Sequence, residues 1–430
     1  MARLPVPGSD ANVWGDVLNN FLLAEHNADG TLKIAATVAA KADDSTVVHK
    51  AGDTMTGVLS VPGGTVTPLD WVNVKTQGAK GDGATDDTAA IQNAINAGGA
   101  TYFPTGTYMV SGLTLQAKTV LMGTGSGTYS GFVGAGVSAI KLINGSNSPV
   151  ITIPAGAGAG RITDLEIDGN KNGQTAGLPQ GILFAAAGSA QESQWRIERC
   201  FVHATRGTGI EIQSNRQANR IRDCAIYGTG YYGIECSASD QILTGNLIGV
   251  CFLDGVLVNQ TVIHIFAGDI FSNRNGVNIT ASARGCMITN TGIDRNNQAG
   301  IYCAGAGVSV TGCTFHTNSQ TADGTYPNIQ ITDQFSAADA INVTGCSFWK
   351  DSGYANLPDY HIRLDNTATA GVVACGAQTA SSRSGFINAP SRSGPLVSKP
   401  AITGSRGGNA ALTSLLTALA SLGIVTDSTT

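Results

Sequence analysis

Three observations predict an all-β solenoid, a parallel β-helix, over most of this 430-residue chain. The first is a repeat. Between Trp195 and Leu364 a short apolar strand, a polar corner and a second short strand recur seven times. Aligned on Val202, Ile226, Ile248, Ile270, Ile293, Phe315 and Phe348, the first strand steps by 24, 22, 22, 23, 22 and 33 residues. Aligned on Ile210, Ile234, Val256, Val277, Ile301, Ile329 and Ile362, the second steps by 24, 22, 21, 24, 28 and 33. Both series lengthen together at the end, as they do when loops are inserted into one unit stacked on its own copies.

The second observation is alternation. Gly209-Ile210-Glu211-Ile212, Gly233-Ile234-Glu235-Cys236 and Gly255-Val256-Leu257-Val258 put apolar side chains at every other position, the period of a strand with one face buried. Ile197, Ile221, Leu243, Ile265, Ile288, Val310 and Val343 lie five residues before the first-strand positions and form a further apolar column. No helical period competes. Coils of ~22 residues would then lie ~4.8 Å apart. The third observation is composition: 56 glycines and only 13% charged residues suit tight corners and short strands.

Charge and hydropathy exclude several classes. A net charge of −5 with no basic block argues against a nucleic-acid partner. The chain has no apolar run of 18 residues, so no membrane-spanning helix is expected. Met1-Ala2-Arg3-Leu4-Pro5 lacks the apolar core of a secretory leader, so synthesis without a signal peptide is expected. The nine cysteines follow the repeat: Cys200, Cys224, Cys313 and Cys346 each fall two residues before a first-strand position. They read as buried thiols acting as small hydrophobes, and no C-x-x-C spacing points to a metal.

In chain order, residues 9–26 read as a helix with Val13, Trp14, Val17, Leu18, Phe21 and Leu22 on one stripe that needs a partner. A small-residue linker follows over 31–71. Strand, glycine turn and helix come next over 72–95, with Thr85 or Asp86 as cap, acids in the first turn, and Ala90, Ile91, Ala94 and Ile95 as the buried face. This helix is placed to cover the open end of the strand stack. The Gly81-Asp82-Gly83 turn and Asp86-Asp87 read as a turn and cap, or as an anion or metal position. Less regular coils occupy 113–182, including Ile162–Gly169. The repeat is expected to stop after Cys375, with a loop-rich 376–408. Asn409 then opens a helix with Leu412, Leu415, Leu416, Leu419 and Leu422 on one side. The expected organisation is thus 1–30 docking helix, 31–71 linker, 72–375 β-helix, 376–408 linker and 409–430 association helix.

Several stretches carry a family resemblance. Lys50-Ala51-Gly52-Asp53-Thr54-Met55-Thr56-Gly57-Val58-Leu59 resembles the short repeat common in phage tail fibres. Pro5-Val6-Pro7-Gly8-Ser9-Asp10-Ala11-Asn12-Val13-Trp14-Gly15 is similar to the N-termini of tail proteins from phages of actinobacteria. Residues 72–95 with Thr101-Tyr102-Phe103-Pro104-Thr105-Gly106-Thr107-Tyr108 resemble the opening motif of the pectate-lyase-like superfamily, also found at the head of many phage tailspikes. The resemblance implies a right-handed parallel β-helix in a virion tail. It also implies a homotrimer, attachment to tail or baseplate proteins through the N-terminal segment, and a host surface glycan as ligand. It supplies no catalytic residues, because the repeats lack the Asp-Asp and His-Gly pairs of polygalacturonases and the calcium-binding acids of pectate lyases.

Candidate site residues come from stacking, since outward positions ~22 residues apart become neighbours ~5 Å apart. One column reads Leu183, Glu211, Glu235, Leu257, Asn278, Tyr302, Gln330 and Arg363. Glu211 and Glu235 are its catalytic candidates, because adjacent carboxylates repel and one is pushed to hold its proton, as a general acid must. Their spacing fits a retaining glycosidase; the plainer reading of the same residues is a pair of solvated surface acids or a carbohydrate hydrogen-bonding site. The other column reads Asp168, His203, Tyr227, Gly249, Phe271, Asp294, His316 and Trp349. Tyr227, His203, Phe271, Asp294 and Trp349, with Tyr302 from the first column, are the substrate-binding candidates, because sugar C–H faces stack on aromatics and hydroxyls need polar partners. The same aromatics would also suit burial between copies. Asp254 and Asp269 are further acids whose direction is open. No cofactor and no metal is expected. The reading is a phage tail fibre or tailspike that recognises host carbohydrate; the alternatives are a polysaccharide depolymerase and, third, a cellular pectin-degrading enzyme.

Overall fold

Three short strands per coil, rather than two, make the repeat close on itself. The computed structural model describes residues 71–365 apart from 128–135 and 333–340, together with 59–61, 64–66, 370–373, 376–377, 381–382, 384–388, 401–404, 409–421 and 426–429. The helix expected over 9–26 and the fibre-like residues 50–58 lie outside these. The chain divides into Met1–Asp70 and Trp71–Thr430. In the first unit the described residues form an antiparallel hairpin, Leu59–Val61 with Gly64–Val66.

In the second unit the strands stack into three all-parallel sheets of 12, 12 and 11 strands. The column five residues before the first-strand positions is a sheet of its own (sheet 1), in register from Ile162 and Ile197 through Ile221, Leu243, Ile265, Ile288 and Val310 to Val343. Sheet 2 carries Val202, Ile226, Ile248, Ile270, Ile293, Phe315 and Phe348 in register. Sheet 3 carries Ile210, Ile234, Val256, Val277, Ile301, Ile329 and Ile362. All these side chains are buried in one continuous core. Each buried Ile or Val contributes about 1.5–3 kcal/mol, so the ladder is the main source of stability.

The corners explain why three strands fit in a coil. Between sheets 1 and 2 a single left-handed residue makes the bend: Asp164, Arg199, Asp223, Gly245, Ala267, Asn290, Gly312 and Gly345, all with φ between 49° and 66°. Asn, Asp and Gly are the residues that tolerate this conformation best. The cysteine that follows four of these bends turns inward, where Cys200, Cys224, Cys313 and Cys346 are buried free thiols. After sheet 2 comes a second left-handed bend at Ala204, Gly228, Val250, Ser272, Arg295 and Thr317. For β-branched Val250 and Thr317 this conformation costs roughly 1–2 kcal/mol.

What offsets that cost on the later coils is an asparagine ladder just past the bend. Asn273 Nδ2 donates to Asn296 Oδ1 (3.2 Å), Asn296 Nδ2 to Asn318 Oδ1 (2.9 Å) and Asn318 Nδ2 to Asn328 Oδ1 (2.7 Å). Each Oδ1 also accepts a backbone N–H from the coil before, at 3.0–3.1 Å for Asn273, Asn296 and Asn318. The ladder ends on His361, whose Nδ1 lies 2.9 Å from Asn328 Nδ2 and whose Nε2 lies 2.9 Å from Ser381 Oγ.

The first coils are closed by helix α1 (Thr88–Asn96), which buries Ile91, Ala94 and Ile95 in the core with Ala90 packed against it. Its cap differs from the expected one. Asp87 occupies the N-cap position, and no acid lies in the first turn. The Asp87 carboxylate points away from the helix and accepts from Lys80 N (2.6 Å) and Gly81 N (2.9 Å). Asp86, one residue further out, accepts from Thr88 N at 3.0 Å. Asp82 is taken up by Ala84 N and Thr85 N at 2.9 and 2.8 Å. These carboxylates therefore serve as turn and cap. Gly81 is required here, because at φ 63° an added Cβ would sit 2.7 Å from the Tyr108 ring.

The sheets also run past Cys375, where the repeat was expected to end. Strands Ala370–Val373, Gly376–Ala377 and Gly385–Asn388 add to sheets 1, 2 and 3. Further on, Ala401–Gly404 pairs in parallel with Thr426–Thr429. Between them helix α2 (Ala410–Ser421) begins where Asn409 Oδ1 accepts from Leu412 N, and of its leucines Leu416 is buried while Leu412 and Leu415 are exposed.

Candidate functional site

Stacking brings Glu211 and Glu235 directly together, in register on adjacent strands of sheet 3. Both are half-buried. Glu211 is held at both oxygens: Gln180 Nε2 donates to Oε2 (2.6 Å) and Gln213 Nε2 to Oε1 (2.7 Å). Among the described residues Glu235 accepts from Ser237 Oγ alone, at 3.1 Å. Burial first, and the Glu211 charge second, raise the Glu235 pKa above the ordinary glutamate value. This is the asymmetry that a proton donor beside a charged partner requires. Tyr302 shares the column three strands on, between Asn278 and Gln330.

The other candidates stand on sheet 2. His203, Tyr227, Gly249, Phe271, Asp294, His316 and Trp349 are in register there. At one end His203 stacks on Phe201 (4.2 Å between centroids) and its Nε2 donates to Glu166 Oε1 at 3.0 Å. At the other end the column condenses into a cluster. Trp349, 39% exposed, stacks on His316 with centroids 4.1 Å apart. His316 Nε2 lies 3.4 Å from Asp294 Oδ2, and Arg295 Nε also donates to that oxygen. The Arg295 guanidinium sits over the Phe271 ring at 5.5 Å and the Tyr354 ring at 5.9 Å.

This cluster holds a second acid pair. Asp294 is 1% exposed, and among the described residues its Oδ1 has no nitrogen or hydroxyl donor. Asp269, on the preceding strand, faces it diagonally, because Asp269 pairs with Gly292 and Asp294 with Phe271. The absence of a side chain at Gly292 leaves the space for Asp269, whose Oδ1 would lie 2.8 Å from a Cβ there. Burial first, then the Asp294 charge and a hydrogen bond to it, push the Asp269 pKa up to about 6. A proton on Asp269 donated to Asp294 joins the two carboxyl groups, and burial raises the Asp294 pKa as well. His316 is driven the opposite way, below the ordinary histidine value, by burial first and the Arg295 charge second.

Sequence stacking therefore found Phe271, Asp294, His316 and Trp349 as neighbours and left the direction of Asp269 open; it left out Arg295 and Tyr354, which complete the cluster. Asp269 escapes a column reading because its partner is diagonal, not opposite. Arg295 escapes it because it occupies a left-handed bend (φ 51°) that turns its side chain back along the sheet face. His203 and Tyr227 lie several coils away, and Tyr302 is on another sheet. Asp254 is not a site residue: it is 0% exposed and accepts from Arg274 Nε (2.8 Å), Asn275 Nδ2 (2.9 Å) and Asn278 Nδ2 (2.9 Å).

Comparison with known proteins agrees with this architecture. Two family models match, "Rhamnogalacturonase A/epimerase, pectate lyase-like" over residues 71–249 and "Right handed beta helix region" over 181–369. A mannuronan C5-epimerase of Azotobacter vinelandii is 27% identical over 295 residues, 65% of this chain and 15% of that protein. The pre-neck appendage protein of Bacillus phage phi29 is 37% identical over 182 residues, 41% of this chain and 18% of that protein. The chain thus matches less than a fifth of the length of either relative. Among solved structures, the enzymatically active domain of tailspike protein 2 from bacteriophage CBA120 superposes with a TM-score of 0.60 at 16% identity, covering 72% of this chain and 47% of that one.

Proposed function

We propose that this pectate-lyase-like right-handed parallel β-helix is a phage tailspike or tail-fibre protein that binds polysaccharide on the host surface. One observation carries the reading: Trp349, His316 and the Asp269–Asp294–Arg295 group form a single half-open face on sheet 2, with an exposed ring beside buried, hydrogen-bonding charge. A ring for the C–H face of a sugar and fixed polar groups for its hydroxyls are the parts of a carbohydrate site. The phage relative supports placing the protein on a virion; attachment through the N-terminal segment and assembly as a homotrimer are parts of the same proposal. The test is binding of the pure protein to host cells and to their isolated surface glycan. Trp349→Ala is expected to weaken binding about two- to tenfold, the worth of one aromatic contact. Undiminished binding by that variant rejects this face.

A second reading, a polysaccharide depolymerase, is favoured by two facing carboxylates that can share one proton, since burial raises the pKa of Asp294 and pushes that of Asp269 up to about 6. It replaces Glu211 and Glu235 as first choice, since Glu211 is tied at both oxygens. New reducing ends or unsaturated sugars released from host glycan would be the assay. Loss of cleavage in Asp269→Asn and Asp294→Asn, with retention in Glu211→Gln and Glu235→Gln, is the expected pattern.

A further inference from the structure

We propose that the turns joining sheet 2 to sheet 3 on four successive coils form a separate subsite for a negatively charged unit of a glycan, bound by Lys171 and Arg206 over a platform of Phe252 and Leu178. The inference rests on the polysaccharide reading above but concerns a different surface. These turns, 169–181, 204–209, 228–233 and 250–255, enclose an open cavity of about 600 Å³. Phe252 and Leu178 line it at 73% and 49% exposure, and Val250 beside Phe252 is also exposed. A single exposed apolar side chain means little, but a group of them around one cavity marks a place of contact.

The charge on these turns is one-sided. Their acid is Asp254, which is buried and neutralised by Arg274. Lys171 makes no ion pair among the described residues, whereas Lys141 on the neighbouring strand is paired with Asp168 at 2.9 Å. Arg206 has no carboxylate partner among the described residues either. Its Nε and Nη1 donate to Gly177 O (3.0 Å) and Gln174 O (2.8 Å), which fixes the guanidinium at the cavity wall with its charge uncompensated. Two such cations beside a bare ring, in a protein of net charge −5, form a local anion site. The floor is backbone: a Cβ at Gly207 would lie 2.1 Å from Leu178 O, and one at Gly230 2.1 Å from Arg206 O. The turns therefore stack with nothing between them, and their side chains are displayed outward. The combination selects a ring with one apolar face and an anionic substituent, either a carboxylate on the sugar or a phosphate between sugars.

The experiment measures affinity of the full chain for three probes of equal length: an oligogalacturonate, a poly(glycerol phosphate) oligomer and a neutral dextran oligomer. An anionic probe is expected to bind in preference to dextran, more weakly as salt is raised. Lys171→Gln should weaken it about two- to fivefold, and Lys171→Arg should restore it. Phe252→Ala should weaken it by about two- to tenfold. Both positions are on the surface, so the melting temperature should not move. Which anionic probe binds decides between carboxylate and phosphate. Equal binding of dextran, no binding of either anion, or indifference to Lys171→Gln overturns the proposal. So does a fall in molar mass of the Phe252→Ala protein with anion affinity unchanged, which would assign the cavity to contact with another copy. Host-glycan binding and its loss in Trp349→Ala are followed in parallel. If those persist while the anions fail, only this subsite falls; if both fail, the polysaccharide reading falls with it.

Discussion

Glu211–Glu235 on sheet 3 and Asp269–Asp294 on sheet 2 are both carboxylates brought together by stacking, yet they are different chemical objects. The glutamates stand opposite each other on longer stems, half in solvent, and amide and hydroxyl groups occupy their oxygens. The aspartates meet diagonally on short stems over a glycine, and one of them is sealed from solvent. Like charges that can reach water spread apart and stay ionised; like charges held under a guanidinium and a ring share a proton. A third acid, Asp254, shows the opposite extreme, buried but fully hydrogen-bonded.

That ordering of the three settings can be broken by stability measurements. Asp254→Ala should cost the most, about 3–5 kcal/mol by denaturant unfolding, because it strands Arg274 and several amide donors. A cost under about 1 kcal/mol would mean that this network is not structural. Asp294→Ala should come next, at about 1–3 kcal/mol, since among the described residues Asp294, unlike Asp254, accepts from no amide, and Arg295, about as exposed as Arg274, can turn to water. Asp269 should reveal itself through pH. Its pKa of about 6 in the folded chain lies above the ordinary 3.8, so the stability it contributes is fully present below about pH 4 and is lost as pH rises through about 6. Wild type minus Asp269→Asn should therefore fall across that window; a flat difference would show the pair does not share a proton. Glu235→Gln should have the smallest effect, within about 1 kcal/mol and stabilising at pH 7, because it removes repulsion from Glu211.

The regular coils were legible because their physics is periodic: an inward Ile or Val on most coils, a corner before Cys200, Cys224, Cys313 and Cys346, and an outward column between. All five columns quoted from the sequence, three inward and two outward, are in register in the fold. Two kinds of feature were not legible. Diagonal neighbours such as Asp269 and Asp294 depend on side-chain length and on the missing side chain at Gly292, which no column shows. Bends such as Arg295 reverse a side chain's direction, so a residue that reads as a corner becomes part of the site. The cap of α1 was misplaced for a related reason: Asp87 is close enough to the preceding turn to satisfy Lys80 and Gly81 instead of its own helix. The end of the last coil was missed because Gly376–Ala377 offers small side chains where the earlier coils offer Ile or Phe.

The asparagine ladder has a direction. Asn273, Asn296 and Asn318 each give one amide hydrogen back to a carbonyl of the coil before and the other onward to the next asparagine, and Asn328 gives one to His361 Nδ1, so the imidazole must keep that nitrogen bare and carry its proton on Nε2, facing Ser381. Burial holds the His361 pKa down to about 4. Acid strong enough to charge it would set one N–H against another at the end of the row, leaving each amide behind it without a terminus. Failure of the interior in acid would then start at the C-terminal coil and travel backward, one asparagine at a time.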